Sequence, residues 1–259
     1  LLEDPRAPAR SLDRQAEVLA QGELLSSTLG AAYLAGPRGL DFGWMDARDW
    51  LVSAPAGENQ SAWSRRLSVN CRWQAEGDFK ARFDAQPQRM LITQGFIAAH
   101  AESGTVVLGR GGSDTSAVAV AAALKADACE IYTDVDGVFN ADPRMVPHAK
   151  KLNMISYEEV LEMASLGAGV LHPRSVELAE KFDLPLVVRS SYNDNEGTLI
   201  VRKNKMEQAI VKGIALDENI AKISIMEVPD KPGIAFRLFS MLAKANIHID
   251  MIVQNTNRA

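Results

Sequence analysis

Residues 105–124 read "TVVLGRGGSDTSAVAVAAAL", and the order of residue types in that stretch decides the fold. Thr105 to Leu108 is a β-branched, apolar run suited to a strand, whereas Ala117 to Leu124 has the alanine and leucine content of a buried helix. Between them stands Gly109-Arg110-Gly111-Gly112-Ser113-Asp114. Glycine lets the backbone approach a ligand closely, Ser113 is a good N-cap, and the unpaired N–H groups of a first helical turn attract anions. Arg110 adds a forked donor for a carboxylate or phosphate. A plain strand-to-helix turn with a surface arginine has the same composition, so the rest of the chain must choose between the two.

Working outward, Met90 to Ile97 predicts a strand that ends in a glycine–aromatic pair. Ser11 to Tyr33 carries Leu12, Ala16, Leu19, Ala20, Leu24 and Leu29 near helical spacing, which predicts a helix with a kink at Gly22. Leu40 to Met45 reads as a short strand, followed by a helical turn through Trp50 and a loop over "SAPAGENQSAW". The charge-rich residues 64–89 read as solvated surface. Downstream, segments at 129–132, 156–165, 173–182, 185–189 and 198–201 continue the alternation of strands and helices. That alternation predicts an α/β fold, a largely parallel sheet sandwiched by helices.

The composition sets bounds. With 259 residues, 47% of them hydrophobic, the chain can bury a sizeable core. Its 28 basic and 33 acidic residues leave a net charge of -5, which argues against nucleic-acid or membrane-surface binding. Cys71 and Cys129 are too few for a disulfide framework and form no CxxC pair, so a reducing cytoplasm is expected. No apolar run approaches a membrane span, and no signal peptide is visible. The four histidines are scattered without ligand spacing, and "DVDGVFNADPR" lacks the acidic residue an EF-hand needs at its twelfth position, so no protein-held metal is expected.

Four segments in order, "QGELLSS" (21–27), "ITQGFIA" (92–98), "LGRGGSDTSA" (108–117) and "YTDVDGVFNADPR" (132–144), resemble the aspartokinases of the amino-acid kinase family. "MASLGAGVLHPRSVE" (163–177) and "LPLVVRSS" (184–191) extend the resemblance. It implies the amino-acid kinase fold and transfer of the γ-phosphoryl group of ATP to the side-chain carboxylate of L-aspartate. The product would be 4-phospho-L-aspartate, in the first step of lysine, threonine and methionine biosynthesis. A carboxylate is already a nucleophile, so such an enzyme mainly aligns two anions and neutralises their repulsion.

The resemblance also implies residue roles. Arg110 would hold a substrate carboxylate and Glu23 the substrate ammonium, with Phe96, Gly111, Gly112 and Ser113 around the substrate. Asp114 would orient cationic groups near the transferring phosphate. Thr133, Asp134, Phe139, Asp142, Arg144, Gly169 and Val170 would face ATP, and Mg²⁺ would arrive with the nucleotide, held chiefly by its phosphates. A charged linker at 203–208 separates the kinase region, 1–202, from residues 209–259, which resemble the first part of an ACT domain. That helix, Gly233 to Ala245, should bury Ile234, Leu238, Met241 and Leu242. There Asp230, Gly233, Ala235, Ile249 and Gln254 match positions lining an effector pocket for lysine or threonine, and pairing of such domains implies a homo-oligomer.

The family's "KFGG" phosphate cradle is absent from the sequence as it stands, so the chain is expected to be a fragment with low activity that still binds ATP. "GWMDARDWL" and "QSAWSRRLSV" resemble a branch fused to diaminopimelate decarboxylase, whereas the second half resembles stand-alone enzymes. Two alternatives stay open: another amino-acid kinase, and a catalytically inactive amino-acid sensor.

Overall fold

The computed structural model describes residues 9–55, 60–73, 76–102, 104–165, 170–202, a few positions between 213 and 225, the helix at 233–244, and residue 249. The chain divides into two compact units, Leu1–Asp217 and Glu218–Ala259. The linker residues 203–208 lie outside the described residues; Gly213 and Ile214 lie within the first unit, the Ile214 N–H donating to the Asn140 carbonyl at 2.8 Å.

The first unit opens with helix α1 (Ala9–Ala35), which runs unbroken through Gly22. Leu12, Ala16, Ala20, Ser27 and Ala31 fall on one side of it and are buried, the periodicity that an amphipathic helix requires. Strand β1 (Phe42–Trp44), a 3₁₀ turn (Ala47–Asp49), β2 (Leu51–Ser53), α2 (Ser64–Leu67), β3 (Cys71–Trp73) and α3 (Glu76–Asp84) follow. The charge-rich 64–89 stretch is therefore not only solvated surface. Leu67, Val69 and Phe79 belong to the core, and the Phe79 ring lies 4.5 Å from that of Trp50, a contact worth ~1 kcal/mol beyond burial. The charges hid this core because single apolar residues spread over short elements and the loop between them carry no period.

The expected strand at Met90 to Ile97 is two strands, β4 (Met90–Ile92) and β5 (Ile97–Ala99), broken at Gly95-Phe96. Phe96 has φ +67°, a conformation that reverses the chain and is costly for any residue with a Cβ. Then come β6 (Thr105–Val107), α4 (Gly112–Leu124), β7 (Cys129–Thr133), β8 (Met154–Ser156), α5 (Tyr157–Ser165), α6 (Pro173–Phe182), β9 (Leu186–Ser190) and β10 (Thr198–Val201). The strands β2 and β8 escaped the sequence reading because three residues cannot display alternation.

These strands form a β1-β4 pair and two four-stranded sheets, in the orders β3-β2-β5-β6 and β7-β9-β10-β8. Parallel pairing joins β1 to β4, β2 to β5, β7 to β9 and β8 to β10; the other three pairs are antiparallel. The α/β architecture with mostly parallel pairing thus holds, in a more mixed form than the simple alternation suggested.

Helix α4 explains its own composition. Val118 and Ala121 pack into the core over the β7 sheet, while Ala123, with Val120 and Leu124 beside it, packs into the core over the β6 sheet. A helix pressed from both sides needs small side chains, and alanine supplies them without loss of helix propensity. In the second unit α7 (Ile234–Lys244) follows Gly233, whose φ is +91°. Ile234, Leu238 and Leu242 are half-buried, but Met241 is exposed, contrary to the expected buried face.

Candidate active site

The loop between β6 and α4 is a left-handed backbone turn. Gly109 and Gly111 have φ of +75° and +67°, values that side chains rarely adopt. Gly111, not Ser113, occupies the N-cap position; it makes no side-chain cap, and Ser113 sits exposed inside the first turn. With Ser113 as the expected N-cap the helix would start at Asp114; it starts at Gly112 instead, because the glycines let the helix begin directly under the turn. The Gly112 N–H donates to Gly109 O at 3.0 Å and the Thr115 N–H to Gly111 O at 3.0 Å. Ser113 and Asp114 N–H groups have no acceptor among the described residues, so they face outward with the positive end of the α4 dipole.

The turn is packed too closely to tolerate side chains. A Cβ on Gly112 would meet Leu108 Cβ at 2.9 Å and Phe96 Cδ2 at 3.0 Å, and one on Gly95 would meet Ser113 Cα at 2.9 Å. The two broken-strand turns, 95–96 and 109–113, therefore touch each other. Ser116 ties them: its hydroxyl accepts from Phe96 N at 3.1 Å and donates to Gly112 O at 2.7 Å. Gln94, buried beneath, accepts from Ala47 N at 2.8 Å and donates to the Ser27 hydroxyl of α1 at 2.8 Å.

Two residues that the sequence reading gave no role hold the turn from the far side. His172 caps α6 by accepting from Arg174 N, with Pro173 at the first helical position. A Cβ on Gly111 would stand 2.2 Å from the His172 Cβ. Arg174 donates to Leu108 O at 2.9 Å and to Val69 O at 3.1 Å, so this guanidinium is a tether. Arg110 is exposed and has no hydrogen-bond or salt-bridge partner among the described residues. That contrast separates the structural arginine from the available one, and "HPR" beside an apolar run was the signal for the former.

Asp114 faces His172. Burial raises the Asp114 carboxyl above its ordinary value of 3.8, opposed by the His172 backbone N–H and the His172 charge. Burial also lowers His172, with the Arg174 and Arg110 charges acting in the same direction and Asp114 against them. Arg110, Asp114 and His172 therefore share one electrostatic neighbourhood. Nearby, a cavity of about 330 Å³ lies behind the turn, lined in part by Leu51, Cys71, Leu108, Thr115, Ser116 and Lys181; Arg110 and Asp114 are not among its walls. Burial pushes the Cys71 thiol there up to about 12, which leaves it unreactive.

Thr133 ends β7 beside Ser190 of the parallel strand β9, and its carbonyl accepts from Ser191 N at 2.8 Å. Ligands of parallel α/β sheets sit at such carboxyl ends. Thr133 Oγ1 donates to Asp134 at 3.1 Å. Arg144 grips Asp142 through its backbone N–H, Nε and Nη2 at 2.7–3.2 Å. This pairing holds the Asp142 carboxyl below its ordinary value and raises Arg144, to which the Asp134 charge also contributes. Phe139 forms a β-bridge with Lys151 that closes the base of this loop. Thr133, Asp134, Asp142 and Arg144 are thus gathered at one strand end.

Glu23 lies on α1 one turn before Ser27 and half-buried, beside Leu24, which packs on the same core as Phe96. Its carboxylate has no partner among the described residues and is joined to neither Arg110 nor Phe96. Val170 is half-buried. Gly169, Asp230 and Gln254 lie outside the described residues; Gly233 and Ala235 are exposed, and Ile249 is 41% exposed.

The first unit thus presents a glycine-built turn at the start of a helix and a cluster of donor and acceptor groups at the end of a parallel strand pair, features of α/β proteins that bind ligands at strand and helix ends. The amino acid kinase family profile matches residues 4–190, and the chain belongs to that family. Over 180 residues it is 51% identical to an aspartate kinase of Pseudomonas putida, covering 69% of this chain and 44% of that protein. Among solved structures it is similar to E. coli aspartokinase III in complex with aspartate and ADP, at 29% identity and a TM-score of 0.71, covering 94% of this chain and 53% of the other. The same enzyme with lysine and aspartate gives a TM-score of 0.67 at 28% identity, covering 94% and 54%. The chain thus spans about half the length of the relatives it matches.

Proposed function

We propose that the protein is an aspartate kinase, transferring the γ-phosphoryl group of ATP to the side-chain carboxylate of L-aspartate to give 4-phospho-L-aspartate. The observation that carries this reading is the free Arg110 guanidinium on a rigid, glycine-built turn beside two outward N–H groups. A forked donor at a helix start binds a carboxylate with defined orientation. Arg110 holds the substrate carboxylate against the Gly111-Gly112-Ser113 backbone, and Glu23 and Phe96 flank it. Asp114 orients cationic groups at the turn, while Thr133, Asp134, Phe139, Asp142, Arg144, Gly169 and Val170 take the nucleotide. Positioning and charge neutralisation then account for the chemistry, as phosphoryl transfer requires.

ATP enters with Mg²⁺. Among the described residues no group of three or more His, Cys, Asp or Glu side chains could hold a metal, and no step is assigned to the ion. Residues 209–259 form the start of an ACT module. Asp230, Gly233, Ala235, Ile249 and Gln254 receive lysine or threonine there, a reading supported by the lysine complex of the E. coli enzyme. Pairing of these modules gives a homo-oligomer. The reading is of a cytoplasmic enzyme acting without membrane or nucleic acid; no helix among the described residues is long and apolar enough to cross a membrane.

The test is an acyl-phosphate trap with hydroxylamine on the full gene product, offered L-aspartate, L-glutamate or N-acetyl-L-glutamate with ATP. Hydroxamate from aspartate alone supports the reading. Hydroxamate from another acceptor makes the protein a different amino-acid kinase, and binding of aspartate or lysine without turnover makes it a sensor.

A further inference from the structure

Helix α1 meets the rest of the first unit mostly through small side chains. Among the described residues Leu12, Ala16, Ala20 and Ala31 are its buried apolar positions, and it lies against β1, β4 and β6, the last being the strand that leads into the glycine turn. Alanines make shallow ridges, which do little to fix how far a helix is turned or slid along its neighbours. A polar contact fixes it instead. Ser27 and Gln94, 9% and 2% exposed, meet at 2.8 Å.

Both ends of Gln94 and the whole of the Ser27 hydroxyl are used. The Gln94 amide oxygen accepts from the Ala47 N–H at 2.8 Å, which leaves the amide nitrogen to donate to Ser27. The Ser27 hydroxyl also accepts from Trp44 Nε1 at 3.1 Å and donates to the Leu24 carbonyl at 3.1 Å, so its one proton and both lone pairs are taken. A buried network saturated in this way specifies one arrangement, because any slip strands a donor away from water. Two parts of the proposed substrate site are fixed by it. Glu23 stands one turn before Ser27 on the same side of α1, about 6 Å along the axis. Phe96 stands two residues beyond Gln94, and its N–H donates to the Ser116 hydroxyl, which donates to the Gly112 carbonyl.

We propose that Ser27 and Gln94 are positioning residues that hold Glu23 at the α-amino end of L-aspartate, and so decide whether the site distinguishes an amino dicarboxylate from a plain one. The assignment rests on the proposed aspartate kinase reaction, with Glu23 as partner of the substrate ammonium. Both residues are buried and act through Glu23. An ammonium–carboxylate contact has its full strength only at hydrogen-bond distance, so a displacement of ~1 Å in Glu23 forfeits much of it. A ligand without the amino group does not feel that displacement.

Calorimetric titration of L-aspartate and of succinate, the same dicarboxylate without the amino group, into the ADP-saturated full gene product tests it. The parent should favour aspartate by roughly tenfold or more, the strength of a hydrogen bond between charged groups. Ser27→Ala and Gln94→Leu should each weaken aspartate roughly 5- to 20-fold and leave succinate within about twofold, while Ser27→Thr, which keeps the hydroxyl, should retain the preference. In a Glu23→Ala background, Ser27→Ala should have no further effect on aspartate, because the group it positions is gone. A parent that does not favour aspartate removes the ammonium from Glu23, and the inference falls together with that assignment. A parent that favours aspartate, with variants that keep the preference or weaken both ligands equally, overturns the inference alone. Effects of Ser27→Ala and Glu23→Ala that add in full overturn it as well, and leave Ser27 and Gln94 with a part in folding only.

Discussion

Gly111→Ala should be among the most damaging single-methyl changes in the chain. Two costs act on it. Its φ of +67° places an alanine in the left-handed region, at about 1–2 kcal/mol. Its new Cβ would lie 2.2 Å from both Cβ and Cγ of His172 and 2.7 Å from Cδ2. These atoms are the root of the side chain and cannot swing aside, so repacking costs roughly another 1–3 kcal/mol. The sum, about 2–5 kcal/mol, is a large share of the ~5–15 kcal/mol that holds a domain together, and it should lower the melting temperature by roughly 5–15 °C. The two terms separate in a double-mutant cycle. His172→Gly removes the clash but leaves the dihedral cost, and glycine is tolerated at an N-cap, so Gly111→Ala should cost only about 1–2 kcal/mol in that background. Urea unfolding followed by circular dichroism measures all four proteins. A cost below ~1 kcal/mol in the parent, or the same cost in both backgrounds, would refute the packing of His172 on the turn.

Arg174→Met should destabilise the chain by about 2–4 kcal/mol in urea unfolding, because the carbonyls of Leu108 and Val69, both on buried residues, lose their donors. Asp114→Asn should stabilise it at neutral pH while impairing catalysis. The folded carboxyl titrates above 3.8, so its stabilising contribution is full below 3.8 and is lost as pH rises through the folded value. The variant's advantage should therefore vanish in acid, and melting curves over pH read it; a constant difference at all pH values would mean that Asp114 is not desolvated. Asp134→Ala should raise the KM for ATP more than that for aspartate in steady-state kinetics, and an unchanged ATP KM removes Asp134 from the nucleotide site.

The strand-turn-helix at 105–124 was legible because it joins two unmistakable propensities through residues that only a special backbone accepts. The same is true of α6, β9 and β10, whose boundaries fall within a residue of those expected. What could not be read was tertiary. Ser113 looks like a cap in sequence, but the left-handed Gly111 takes the cap position and pushes Ser113 into the helix. Phe96 carries a positive φ that no propensity foretells, since contacts with Gly112 and Ser116 impose it. Arg110 and Arg174 are alike as residues; only the carbonyls of Leu108 and Val69 show which one is committed to structure. Leu67, Val69 and Phe79 were masked by the charges around them, because a core contributed one residue at a time leaves no periodic trace.

Calorimetric titration of L-aspartate into the ADP-saturated protein, in the parent and in Arg110→Ala, tests the central claim most directly. Loss of a charge-assisted, forked contact costs ~1.5–3 kcal/mol, so the variant should bind aspartate roughly 10- to 100-fold more weakly while its affinity for ADP stays within about twofold. Equal aspartate affinity in the two proteins would contradict the assignment of Arg110, and with it the reading of the glycine turn as a carboxylate site.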